Sequence, residues 1–103
     1  MAEIILTSDN FKAEVLESKV PVLVDFWASW CGPCQMMGPV VEELANESSG
    51  SYKVGKVNVD EQGDLAQEYG VMSIPAFFVF KDGKVSASSV GAQAKDALLD
   101  MLK

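Results

Sequence analysis

A nearly continuous apolar run over residues 20–27, Val-Pro-Val-Leu-Val-Asp-Phe-Trp, most constrains how this chain can fold. A run of this length, without regular polar alternation, is typical of a strand that is covered on both faces of a sheet. Pro21 lies near its start, where the missing N–H group is tolerated. The run therefore predicts a central strand in which one charged residue, Asp25, stands among apolar neighbours.

Strand-like and helix-like segments alternate along the chain, which predicts a single α/β domain over residues 1–103 with a layered sheet. Apolar runs predict strands at 4–6, 20–27, 52–59, 76–80 and 85–90, the last two forming a hairpin around Asp82-Gly83. Apolar periodicity and capping residues predict helices that begin after Thr7 or Ser8, near Cys31, near Gly63 and near Ala94.

The charge of the chain disfavours several classes of partner. Eight lysines, no arginine and fifteen acidic residues give a formal net charge of −7. Such a surface repels nucleic-acid phosphates and anionic lipids, and it favours a soluble monomer. The N-terminus has no basic region, and no segment approaches the roughly 20 apolar residues of a membrane span. We therefore expect a cytoplasmic protein that binds neither nucleic acid nor membrane.

The only two cysteines, Cys31 and Cys34, are separated by Gly32 and Pro33 and follow the predicted central strand. Pro33 suits the first turn of a helix, because its φ is already helical and the N–H groups there lack partners. One helical turn then separates the sulfur atoms and places them on one face, where a disulfide can join them. A redox role competes with three other interpretations.

The first alternative is a structural disulfide, but closing a four-residue loop contributes only about 1.9 kcal/mol in the chain-entropy model, against about 3 kcal/mol for 15 residues. The second is a metal site. Structural zinc needs four cysteine or histidine ligands, whereas this chain has two cysteines and no histidine. Zinc or an iron–sulfur cluster would therefore have to be shared across a dimer. The third is a pair of inert buried thiols.

The position of the pair favours redox chemistry. Functional sites of open α/β sheets gather where a buried strand ends, and unpaired N–H groups at a helix N-terminus favour a thiolate over a thiol. Cys31, at the outer position, is expected to reach solvent and attack an incoming disulfide. Cys34, one turn deeper, is expected to attack the mixed disulfide and release the substrate.

Asp25 is the candidate for proton transfer. Because the chain has no histidine, a Cys–His nucleophilic pair, and with it a cysteine protease, is excluded. Burial is expected to raise the pKa of Asp25 and to equip it to exchange a proton with Cys34. The alternative is an aspartate that faces a sheet edge or accepts backbone hydrogen bonds, and the sequence leaves both open.

The chain resembles the thioredoxin family along essentially its whole length. The matching segments are 24–34 (Val-Asp-Phe-Trp-Ala-Ser-Trp-Cys-Gly-Pro-Cys), 56–60, 73–75 and 80–83. Trp-Cys-Gly-Pro-Cys after a strand with a buried aspartate is highly specific, and Ile74-Pro75 at the right downstream distance strengthens the resemblance. A lone Cys-X-X-Cys pair would not justify it.

The resemblance implies a three-layer fold, with a mixed five-stranded sheet flanked by four helices. It implies a protein disulfide reductase that binds no cofactor or metal itself and is reduced again by a thioredoxin reductase with electrons from NADPH. Cys31 would be the nucleophile and Cys34 the resolving thiol. Asp25 would be the buried proton-transfer group with Lys56 as its neighbour, although Lys56 alone would be taken for a surface lysine.

The resemblance also implies a substrate-binding surface. Pro75 would be a cis-proline opposite the cysteines, although a trans bond is the expectation from the sequence alone. The exposed backbone at Ile74 would pair with an extended substrate segment. The residues implied to form a flat apolar docking surface are Trp30, Gly32, Ile74, Pro75, Gly91 and Ala92.

Other residues near the cysteines are assigned to tuning or packing. Gly32 and Pro33, between the cysteines, together with Pro75, would tune the thiol pKa values and the redox potential. The side chains expected to pack in the core are those of Trp27, Met36 and Met37.

Three positions depart from the commonest family pattern. Gln35 and Met72 stand where basic residues are common, and Ala76 stands where threonine is usual. They leave partner preference and redox potential open. Two other functions also stay open: an oxidase or isomerase with the same fold, and a redox-dependent binding module or subunit that uses the same surface.

Overall fold

The computed structural model describes residues 3–103. A five-stranded sheet lies at its centre, in the order β1-β3-β2-β4-β5, with β1, β3 and β2 parallel and β4 and β5 antiparallel to their neighbours. The strands are β1 Ile4–Ile5, β2 Val22–Trp27, β3 Lys53–Asn58, β4 Ala76–Lys81 and β5 Lys84–Val90. The helices are a π-helical segment Lys12–Leu16, α1 Gly32–Glu47, α2 Gly63–Glu68 and α3 Lys95–Leu102. The mixed sheet with four helices is thus confirmed.

The central strand β2 carries two different faces. Side chains alternate along a strand, so Val22, Val24 and Phe26 point to one side of the sheet. Leu23 points to the other, into the core beneath α1, and Asp25 and Trp27 follow it on that side. Residues 22–26 are all buried. The predicted central strand and its burial are confirmed: β3 and β4 pair with the two edges of β2, and apolar side chains pack on both of its faces.

The first face packs against the π-helical segment and α2 through aromatic side chains. Phe26 meets Phe78 edge to face with ring centroids 5.3 Å apart, and Tyr69 meets Phe80 in the same way at 5.3 Å. Such geometry aligns the positive ring edge with a negative ring face. The rings of this aromatic core are those of Phe11, Phe26, Tyr69, Phe78 and Phe80.

The second face packs against α1 and α3, which gives the third layer. The buried side chains that meet there are Leu23, Met37, Val41, Leu44, Val54, Phe77, Val79 and Leu98. At the surface, Lys95 of α3 forms ion pairs with Glu43 and Glu47 of α1. The two helices on this face are therefore joined by both apolar packing and charge.

Two glycines meet specific backbone demands. Asp82 and Gly83 both have positive φ, +54° and +78°, as a type I′ hairpin turn between β4 and β5 requires. The predicted hairpin is confirmed. Gly55 of β3 lies against Leu6, and an added Cβ would overlap the Leu6 side chain. Only glycine therefore lets the chain after β1 pack closely over β3.

Two predictions about helices need correction. Met36 was expected in the core with Met37, but 77% of Met36 is exposed and 4% of Met37. Cys34, Met37 and Val41 form the buried stripe of α1, spaced three and four residues apart, and Met36 lies off it.

The first helix is a short π-helical segment, and the Thr7 hydroxyl accepts a hydrogen bond from the Asp9 N–H before it. Every helix within residues 3–103 is too short or too polar to traverse a bilayer.

Candidate active site

The two cysteines are joined by a disulfide at the N-terminus of α1, with their Cα atoms 5.2 Å apart. Cys31 is the capping residue, with an extended backbone, and its Sγ accepts the backbone N–H of Cys34 at 3.2 Å. Pro33 is the second residue of α1, where no helical hydrogen bond is lost. Sulfur thus replaces the hydroxyl or carboxylate oxygen that caps most helices. This donor and the helix dipole both stabilise negative charge on Cys31.

Burial does not distinguish the two sulfurs in the disulfide form. Cys31 is 5% exposed and Cys34 4% exposed, so the expected exposure of Cys31 is absent in this state. The reason is that Trp27, Val59 and Ile74 pack against the pair from the sheet side. The two differ in their surroundings instead. Exposed Trp30 and Gly32 flank Cys31, whereas Cys34 lies on the buried stripe of α1.

The loop before β4 faces the disulfide. The Ile74–Pro75 bond is cis, as the resemblance implied, and the trans expectation from the sequence alone is wrong. The carbonyl oxygen of Ile74 lies 3.8 Å from Cys31 Sγ. Gly91, after β5, donates its N–H to the Pro75 carbonyl at 2.7 Å. Cys31, Ile74, Pro75 and Gly91 therefore lie close together, and Pro75 itself is buried instead of exposed.

Apolar side chains are exposed around this loop. Trp30 is 69% exposed, Ile74 is half-buried and Ala92 is exposed. Sequence reasoning missed two further apolar residues: Met72, which is 95% exposed, and Val90, which is exposed and pairs with Ala76 directly after Pro75. Two surface grooves, of about 610 and 390 Å³, lie elsewhere on α1 and α3, and neither is lined by a cysteine. The face around the disulfide suits an extended polypeptide better than an enclosed small molecule.

Asp60 holds Trp30 in place, a role that sequence reasoning missed. The indole Nε1 of Trp30 donates to Asp60 Oδ2 at 2.8 Å. The loop itself is ordered by Asn58, whose Oδ1 accepts the backbone N–H groups of Asp60 and Glu61. Segment 56–60 carried part of the family resemblance, but nothing in its pattern pointed to an indole partner 30 residues away.

Asp25 is a buried, unpartnered carboxyl group on the α1 side of the sheet. It is 1% exposed, and its Oδ1 has no hydrogen-bond partner. The edge-facing alternative is therefore wrong, because β2 is paired on both edges, and no backbone group binds Oδ1. Desolvation raises the pKa of Asp25 from 3.8 to about 7; Lys56 opposes this shift and Glu3 adds to it.

The position of Asp25 relates it to Cys34. On the same face of β2, Leu23 packs with Met37 of α1, and Trp27 packs against the cysteine pair. Asp25 lies between Leu23 and Trp27 along the strand, beneath the first turns of α1. Asp25 thus lies on the same side of the sheet as the cysteine pair and is shielded from bulk water.

Lys56 lies directly opposite Asp25 in the parallel β2–β3 pair, as the resemblance implied. Its Nζ stands 4.6 Å from the Trp27 ring centroid, in a cation–π arrangement. Within residues 3–103, Lys56 forms no ion pair within 4.0 Å, so its charge acts on Asp25 at longer range. The same residues contain no cluster of three or more cysteine, aspartate or glutamate side chains that could hold a metal ion.

Comparison with known proteins assigns the chain to a protein family. The family model described as Thioredoxin matches residues 2–103. "Thioredoxin 1" of Synechococcus elongatus is 53% identical over 97 residues, covering 94% of this chain and 91% of that protein. "Thioredoxin" of Rickettsia felis is 48% identical over 97 residues, covering 94% and 92%. "Thioredoxin 1" of Nostoc sp. is 51% identical over 98 residues, covering 95% and 92%.

Proposed function

The chain belongs to the thioredoxin family of thiol–disulfide oxidoreductases, and we propose that it reduces disulfides of other proteins through Cys31, with Asp25 as the proton carrier. The observation that carries this proposal is the disulfide at the N-terminus of α1, in which the sulfur of the capping residue accepts a backbone N–H. That position stabilises a negative charge on Cys31 Sγ, whereas Cys34 lies on the buried stripe of α1.

The first step forms a mixed disulfide. In the reduced protein the Cys31 thiolate attacks one sulfur of the substrate disulfide. A bond forms between Cys31 Sγ and that sulfur, the substrate S–S bond breaks, and the other substrate sulfur leaves as a thiolate that takes a proton from water. The substrate segment lies against Trp30 and Ile74, and its backbone meets the exposed backbone at Ile74.

The second step releases the substrate. Cys34 gives its proton to the Asp25 carboxylate and attacks Cys31 Sγ. The Cys31–Cys34 bond forms, the bond from Cys31 to the substrate breaks, and the second substrate sulfur leaves as a thiolate. Two electrons have then passed from the dithiol to the substrate. With a pKa of about 7, Asp25 can both accept and release this proton near neutral pH.

The cycle closes when a thioredoxin reductase returns two electrons from NADPH to the disulfide. A thiolate of that reductase attacks Cys31 Sγ, the Cys31–Cys34 bond breaks, and Cys34 takes up the proton of Asp25. A second thiolate of the reductase then attacks its own sulfur in the mixed disulfide, and Cys31 leaves as a thiolate. The exposed apolar residues around Cys31 serve both partners in turn. The domain binds no cofactor of its own in this scheme.

The direct test is reduction of a protein disulfide coupled to NADPH oxidation, with a thioredoxin reductase supplied. We expect catalytic turnover by the parent chain and none above background by Cys31→Ser/Cys34→Ser. Turnover that persists in the double variant would refute the proposal. Equilibration with glutathione separates reductase from oxidase: the potential of a reductase lies below the glutathione couple, so its dithiol is oxidised by that couple, whereas a potential well above the couple would identify an oxidase.

A second experiment separates an enzyme from a binding module. Cys34→Ser removes the resolving thiol, so Cys31 should remain joined to target proteins as mixed disulfides that dithiothreitol releases. The matched control is the double serine variant, which should capture none of them. Equal capture by both variants would favour a binding module over an enzyme.

A further inference from the structure

Glu3 lies next to the Asp25–Lys56 pair, and the mechanism above gives it no role. It directly precedes β1, where Ile4 packs into the aromatic core on the opposite face of the sheet. Because side chains alternate, Glu3 and Ile5 point to the α1 side. Ile5 pairs with Lys56, and Lys56 pairs with Asp25. The two carboxyl groups thus stand on either side of the strand that carries the ammonium group.

The two acids share an unusual feature. Among residues 3–103, Glu3 Oε2 and Asp25 Oδ1 are the buried side-chain oxygen or nitrogen atoms that lack a hydrogen-bond partner. A buried acceptor without a donor costs free energy, and native proteins retain few such groups. Both occur on one face of one sheet, around one lysine. This coincidence points to a shared role.

Few other charged groups act on Glu3 and Asp25. Lys56 lowers the pKa of both, and Glu3 raises that of Asp25. Desolvation raises the pKa of Glu3 above its usual range, and Glu42 of α1 raises it further. On its other side Asp25 faces Phe77 of β4, which carries no charge. Among these groups Lys56 is the single cation.

We propose that Glu3 is a positioning residue of the proton-transfer cluster, which shares the Lys56 ammonium with Asp25 and thereby sets the pH at which Asp25 takes up and releases its proton. If Glu3 lost its charge, Lys56 would stabilise the Asp25 carboxylate alone, and Asp25 would release its proton at lower pH. Glu3 acts through Lys56 and Asp25 and does not touch the sulfur atoms. This inference rests on the proposed role of Asp25.

The test is Glu3→Gln, with the Asp25 carboxyl carbon followed by NMR through a pH titration of the oxidised protein. We expect the Asp25 midpoint to move to lower pH, enough to change the ratio of carboxylate to acid by roughly twofold or more at the parental midpoint. Glu3→Asp, which keeps the charge, should restore most of the parental midpoint. Glu42→Gln is the matched control, because Glu42 is exposed and acts on Glu3, and it should leave the Asp25 midpoint in place.

An unchanged Asp25 midpoint in Glu3→Gln would overturn the inference, and so would equal shifts in Glu3→Gln and Glu42→Gln. The acid limb of the pH–rate profile should move with the midpoint, which a purely structural role of Glu3 would not cause. The NMR titration needs no turnover, so it is independent of the proposed function. If Asp25→Asn left the pH–rate profile unchanged, the role of Asp25 would fail even where the titration still showed coupling to Glu3.

Discussion

The two faces of β2 are equally buried but differ in what they bury. On one face, Val22, Val24 and Phe26 pack into the aromatic core. On the other face, Asp25 holds an unpartnered carboxyl oxygen between Leu23 and Trp27. The first face stabilises the fold, whereas burial of the Asp25 carboxyl group costs stability, and we proposed that this group carries a proton. Replacing Phe26 on the first face should therefore destabilise the protein, whereas replacing Asp25 on the second should stabilise it.

Phe26→Ala should give the largest change, because it removes a fully buried ring from the aromatic core. We expect a loss of about 3–5 kcal/mol in the free energy of unfolding, measured by urea denaturation. The pH dependence of stability between pH 4 and pH 7 should remain as in the parent, since Asp25 lies on the other face. A change in that pH dependence would show that the two faces are not independent.

Asp25→Asn should stabilise the protein, with a gain that depends on pH. Folded Asp25 keeps its proton up to about pH 7, whereas the unfolded group loses it near 3.8. Between these values the folded state binds more protons, so the stability of the parent falls as pH rises. The asparagine variant should be little changed at pH 4 and more stable by up to about 4 kcal/mol at pH 8.

The same variant should turn over more slowly near neutral pH, because Cys34 loses its proton acceptor. Urea denaturation at pH 4 and pH 8, with turnover measured in parallel, checks both effects. An asparagine variant that gained no stability at pH 8, or that kept the parental rate at every pH, would contradict the assignment of this face to proton transfer.

Met36 and Met37 are neighbours on α1 but differ in burial, and this difference predicts a smaller contrast in stability. Met37→Ala empties a buried position beneath α1 and should cost at least about 2 kcal/mol. Met36→Ala is the matched control: its side chain is exposed, so the variant should stay within about 0.5 kcal/mol of the parent. Thermal unfolding of the two variants side by side measures the difference. Equal costs would mean that the buried stripe is misplaced.

Asp60→Asn should have the smallest effect. It weakens the hydrogen bond that holds the exposed Trp30 indole. We expect KM for a protein disulfide to rise by about fivefold, which corresponds to roughly 1 kcal/mol, with kcat little changed. Asp64→Asn removes another exposed acid and serves as the charge control. A similar rise in both variants would assign the effect to net charge instead of to Trp30.

Local rules were sufficient where neighbouring residues determine the structure. The apolar run predicted β2, Pro33 predicted the start of α1, and Asp82-Gly83 predicted the hairpin, because each depends on backbone preferences over a few residues. The redox pair was predictable for the same reason, since its spacing and its place at a helix start can be read directly.

Features that depend on tertiary contacts could not be predicted from local sequence patterns. Local preference favours a trans bond before Pro75, yet the bond is cis. Glu3 joins Asp25 only through the pairing of β1 with β3, about fifty residues apart in the chain. The near-equal burial of Cys31 and Cys34 arises because Ile74 and Trp27 pack against the cysteine pair, and this packing leaves no local pattern in the sequence.

The central claim is that the helix start stabilises the thiolate of Cys31 and not that of Cys34. Competitive alkylation of the reduced protein with iodoacetamide at pH 7, with each site quantified by mass spectrometry, tests it directly. We expect Cys31 to react at least about tenfold faster than Cys34 and to keep this advantage well below pH 8.5, the usual pKa of a thiol. Equal rates at the two cysteines, each typical of an ordinary thiol, would contradict the account.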